Sequence, residues 1–105
     1  MRDVFSLLNQ AGMSSRHTGY FYAAAAITLA RAEPQYLLNV TTQLYPRVAE
    51  QFGVSWQSVE RSIRFALNAA WQAHPEAMHR FCPTPKRPTP TRFLSLMVNA
   101  LRAAE

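Results

Sequence analysis

Between Tyr45 and Trp71 two amphipathic helical patterns meet at a tight corner, Gly53-Val54-Ser55, and few folds accommodate such a junction. Before the corner, Val48, Ala49 and Phe52 carry an apolar stripe. After it, Val59, Ile63, Ala66, Leu67, Ala70 and Trp71 recur at i, i+4, i+7, i+8, i+11 and i+12, one face of a helix. Ser55 suits an N-cap, because its hydroxyl can accept a backbone N–H that has no partner inside the helix. Gly53 tolerates the positive φ that a sharp corner favours. Ala49 is small enough for a second helix to cross the first, and Val48, Phe52, Val54, Val59 and Ile63 are available to pin the two together. Ser62 stands at a position that is usually apolar in such a unit. The remaining features are those of a helix-turn-helix.

The chain on either side reads as helical too. Val4, Phe5, Leu7 and Leu8 predict a first helix over Arg2 to Ala11, stopped by Gly12. Tyr20 to Ala32 is the second, opened by Thr18 or Gly19, favoured by four consecutive alanines and closed by Pro34. Leu37, Leu38, Val40, Thr41 and Leu44 give a third stripe. Pro46 then implies either a kink or a fresh helix with proline in its first turn. His74-Pro75 bounds the helix after the corner, and Pro75 to Phe81 predicts a short helix. Cys82 to Thr91 holds four prolines and is expected to be a surface connection. A last helix begins near Thr91, with Phe93, Leu94, Met97, Val98 and Leu101 on one side. No stretch alternates with period two. The expectation is an all-α fold of about six helices around the helix-turn-helix, without a wing, forming one domain over residues 1–105.

Eleven Lys and Arg against six Asp and Glu leave a net charge of +5, with a pI near 10.2, and ten of the eleven cations are Arg. That balance favours a polyanionic partner, and Arg can fork onto phosphate or guanine as Lys cannot. No apolar run reaches the ~18 residues of a membrane span. Together with the missing secretory signal and a lone cysteine, Cys82, this predicts a soluble cytoplasmic domain without membrane contact. There is no glycine-rich phosphate loop, paired carboxylates or nucleophile–His–acid arrangement, so enzymatic activity and a cofactor are not expected. His74, His79 and Cys82 supply three metal ligands where a structural site usually wants four, so they read as unrelated surface residues and no metal is expected.

If Val59, Ile63, Ala66, Leu67 and Ala70 face inward, the opposite face presents Gln57, Glu60, Arg61, Arg64 and Asn68. These types suit a major-groove reader, since Arg pairs with guanine, Gln and Asn with adenine, and Glu accepts from cytosine. The first turns of such a helix make most base contacts, which favours Gln57, Ser58, Glu60 and Arg61. Thr41, Thr42, Gln43 and Arg47, around the start of the preceding helix, could position phosphates. Arg80, Lys86, Arg87 and Arg92 form a basic proline-interleaved stretch, equally consistent with a phosphate-contacting arm, a docking surface or a solvated loop. Tyr20, Phe21, Tyr22 and Trp71 read as core, and Trp56 as partly exposed. Pattern alone is also satisfied by an ordinary solvated helix face with a Glu60–Arg64 ion pair. Two functions therefore stand: a sequence-specific duplex-DNA-binding regulator with a recognition helix at about 56–72, or a protein-interaction module of the same fold that has lost specific base reading.

The segments Leu44-Tyr45-Pro46, Val48-Ala49, Phe52, Val59-Glu60-Arg61-Ser62-Ile63-Arg64 and Ala70-Trp71 resemble the DNA-binding effector domain of the stage 0 sporulation protein A family. The likeness extends upstream through Gly19-Tyr20-Phe21-Tyr22 and Ala26-Ile27, and downstream through Arg92 to Arg102. It implies a six-helix domain that binds a short asymmetric DNA box, often as tandem protomers, and can contact an RNA polymerase sigma factor. Glu60, Arg61 and Arg64 match family residues that contact DNA. Ser58 stands where the best-known members carry a base-reading Arg, and Phe65 replaces a polar residue. The stretch between Trp71 and Phe93 is shorter and richer in proline than is usual. A receiver domain, whose phosphorylation controls such effectors, is not expected in this sequence, either because it was removed or because the protein is naturally the effector alone.

Overall fold

The computed structural model describes residues 3–103, and no strand occurs among them. Six α-helices follow in order: α1 Val4–Gln10, α2 Thr18–Ala32, α3 Tyr45–Phe52, α4 Trp56–Ala73, α5 Pro75–His79 and α6 Pro90–Ala103. A 3-10 helix, Pro34–Leu38, and a π-helical turn, Val40–Leu44, lead from α2 into α3. The all-α expectation holds. Arg2, expected in the first helix, lies outside the described residues. No helix among them is long and apolar enough to cross a membrane.

The central helix is α2, which packs most extensively on α4 and α6 and also touches α1 and α3. Its alanines permit this, because Ala23, Ala24, Ala26 and Ala30 are buried and let neighbouring backbones approach. Gly19 takes that principle to its limit. A Cβ there would sit 1.9 Å from the Ser62 carbonyl oxygen, so the first turn of α2 rests directly on the α4 backbone. Around this crossing Leu7, Leu8, Ile27, Ile63, Leu67, Phe93, Leu94, Met97 and Val98 are fully buried. Each such side chain contributes about 1.5–3 kcal/mol of apolar transfer energy.

The junction at Pro46 joins both expected possibilities. α3 begins with Pro46 in its first turn, and the residues just before it form wide turns: the Leu44 N–H donates to Asn39 O at 3.2 Å and the Tyr45 N–H to Val40 O. Proline has no N–H and its ring presses on the carbonyl four residues back, so a wider turn relieves the contact while keeping the chain helical. Upstream, the expected stripe is broken. Leu38 is 83 % exposed, whereas Val40 and Leu44 are buried. The tighter 3-10 turns over Pro34–Leu38 rotate Leu38 out of the 3.6-residue register that made it look like core, while Leu37 stays half-buried against the core.

Three further expectations need correction. Of Tyr20, Phe21 and Tyr22 only Tyr20 is fully buried, its hydroxyl donating to Asn9 Oδ1 at 2.8 Å; Tyr22 packs half-buried against the core, while Phe21 is 43 % exposed. Trp71 packs against the core but is half-buried rather than fully so, with its ring 5.0 Å from that of His79. The proline-rich connection folds back onto the body rather than lying wholly on the surface, burying Cys82 and Pro88. Prolines make that inexpensive, since each lacks the backbone donor that a buried loop must otherwise satisfy.

Candidate nucleic-acid interface

The corner that joins α3 to α4 has the geometry the residues predicted. Gly53 adopts φ 67°, ψ 37°, and its N–H and that of Val54 both donate to Ala49 O, closing α3. Ser55 caps α4 by accepting the Ser58 N–H at 3.1 Å. Val48, Ala49, Val59 and Ile63 are buried between the helices and the body. Phe52 is the exception, because its ring packs on Tyr22 at 4.9 Å and so ties α3 to α2.

α4 buries Val59, Ile63, Ala66, Leu67 and Ala70 on one side, which turns the predicted polar stripe outward. Gln57 and Arg61 are exposed and make no side-chain hydrogen bond or ion pair among the described residues. Glu60 and Arg64 are joined, Nη2 to Oε1, at 2.6 Å on the helix surface. An exposed i, i+4 pair of this kind is worth only ~0.3–0.5 kcal/mol, so an arriving polyanion can separate it. Ser58 is half-buried, and its hydroxyl accepts from Ser55 Oγ at 3.1 Å, within the cap. Thr42, in the π-helical turn, and Arg47, in the first turn of α3, are both exposed. Asn68 is half-buried and its Oδ1 has no hydrogen-bond partner.

Three of these residues share a cleft that the sequence did not announce. Glu60, Arg64 and Asn68 form one wall of an open cavity of about 310 Å³. Thr41, Tyr45 and the proline-rich segment from Arg87 to Thr91 line the rest of it. Gln57, Arg61, Thr42 and Arg47 lie outside it. Tyr45 was legible only as the start of the helix-turn-helix span and as part of the Leu44-Tyr45-Pro46 segment, and Arg87 only as one cation of a basic run. No periodicity places a coil segment against a helix 20 residues earlier. His74 and His79 are exposed but Cys82 is buried, so the three are not the surface group expected of them. Among the described residues no three His, Cys, Asp or Glu side chains gather as metal ligands would.

Tyr45 is 2 % exposed and its hydroxyl makes no hydrogen bond of normal geometry. Burial, reinforced by the Glu60 charge, pushes its pKa up to about 12, against smaller opposing effects of Arg64 and the Thr91 hydroxyl. The folded protein thus keeps a proton that the unfolded chain releases near pH 10. The associated stability is complete below that pH and is lost as pH rises toward 12. One of the four tyrosines should therefore titrate late in ultraviolet phenolate absorbance, together with alkaline unfolding, and Tyr45→Phe should remove that late step.

The family model described as sporulation initiation factor Spo0A C terminal matches residues 4–101. The chain belongs to that family, as the resemblance implied, and so to DNA-binding regulators of transcription in sporulation.

Proposed function

From that membership, we propose that α4 supplies a recognition helix, over about residues 56–72, that lies in the major groove of duplex DNA and selects its sequence. The observation that carries this is the division of α4 into a buried apolar face and an outward stripe whose Gln57 and Arg61 are unengaged. Arg61 forks onto guanine O6 and N7, and Gln57 pairs with adenine. Glu60 and Arg64 exchange their mutual bond for contacts to base edges or phosphate. Thr42 and Arg47 position the neighbouring backbone, and Asn68 acts at the edge of the groove. Ser58 is held by the helix cap, so it supplies no substitute for the Arg of better-known members, and the preferred box differs from theirs.

Residues 1–105 act as one effector domain, in the cytoplasm where the DNA lies. Tandem protomers on one duplex and an RNA polymerase sigma factor are proposed partners, on family likeness alone. Nothing in the reading calls for enzymatic chemistry. Selection from randomised duplexes tests it: an enriched motif containing guanine is expected. Absence of any motif would favour the alternative, an interaction module of the same fold.

A further inference from the structure

The cleft beside Arg64 has the makings of an anion site. Its two walls each bring an arginine, Arg64 from α4 and Arg87 from the proline-rich segment. Glu60 already neutralises Arg64, and Arg87 is exposed without an ion pair among the described residues, so the cleft retains positive charge. The first turn of α6 adds to it. Thr89 Oγ1 accepts the Arg92 N–H at 3.2 Å, Pro90 has none to give, and the Thr91 N–H is left without a partner at the positive end of a 14-residue helix. Independently of these charges, Tyr45 lines the cleft, and its hydroxyl, almost wholly buried beside that of Thr91, makes no hydrogen bond of normal geometry. A buried hydroxyl short of a full hydrogen bond is destabilising, and a bound acceptor would offset that cost.

We propose that this cleft is a phosphate site that seats one phosphodiester of the duplex backbone flanking the groove entered by α4. The proposal rests on α4 meeting DNA and assigns the contact to Arg87, Tyr45 and the α6 N-terminus. The proline-rich segment then serves as a phosphate-contacting arm built of coil. A phosphate contact carries no sequence information. Its loss therefore weakens all duplexes alike, which separates it from loss of a base contact.

Wild type, Arg87→Ala, Tyr45→Phe and Arg61→Ala are compared for binding to the selected duplex and to a permuted one over a range of salt. Arg87→Ala should weaken both duplexes by the same factor and lower the slope of log K against log salt by ~0.9, the release accompanying one phosphate. Tyr45→Phe should weaken both as well, while its thermal midpoint stays level or rises because an unpartnered buried hydroxyl has gone. Arg87→Ala with unchanged affinity and slope overturns the proposal, even if Arg61→Ala confirms base reading. A reduced slope in Arg87→Ala supports it, even if wild type proves indifferent to sequence and base reading fails. Wild type that binds neither duplex overturns both.

Discussion

Gly19→Ala should be among the most damaging single-methyl additions to this chain, lowering its stability by about 3 kcal/mol or more in chemical denaturation. The added carbon would lie 1.9 Å from the Ser62 carbonyl oxygen and 2.4 Å from the carbonyl carbon. Both belong to the backbone of α4, where no rotamer change can make room. Relief requires α2 and α4 to separate, and that opens the core around Ile27, Ile63 and Leu67. Gly53 provides the internal comparison. A Cβ there meets nothing within 4 Å, so Gly53→Ala costs only the strain of its positive φ, ~1–2 kcal/mol. If Gly19→Ala were as mild as Gly53→Ala, the helices would not cross as closely as described. Because α4 also carries the outward stripe, Gly19→Ala protein that still folds should show DNA affinity reduced without any change to the stripe itself.

Arg61→Ala should cost ~1–3 kcal/mol of binding to the selected duplex, roughly five- to 150-fold, and relax the preference at one base pair. Its side chain is exposed and free of internal partners, so truncation leaves the fold unchanged, and the loss is one of recognition. Arg64→Ala should differ in kind. It releases Glu60, leaving a carboxylate unpaired near the phosphates as well as removing a cation. Its effect should therefore depend more strongly on salt and be partly relieved in the Glu60→Gln background. A thermal melt of each variant and binding isotherms at one salt concentration separate these outcomes.

Much of the fold was legible because amphipathic helices write their buried face in the sequence. Every apolar position expected in α6, and Val59 to Ala70 in α4, is buried. The caps at Gly53 and Ser55 were legible because each has a local conformational reason. What escaped notice depended on distant partners. Gly19 read only as a helix opener, since nothing local says that another helix's backbone lies against it. Phe21 and Leu38 looked like core by hydrophobicity, yet whether a side chain is covered depends on where other elements fall. The outward stripe of α4 could be read residue by residue, but the cap that engages Ser58 and the screening of Asn68 could not. Neither could the cleft, because Tyr45 and Arg87 are brought together by the return of a proline-rich segment whose path no pattern encodes.

Sequence-selective recognition by α4 is tested most directly by the ratio of affinities for the selected duplex and a permuted duplex of equal composition, at one fixed salt concentration. Wild type should favour the selected duplex by about a thousandfold or more. Equal affinity for the two would contradict a base-reading α4.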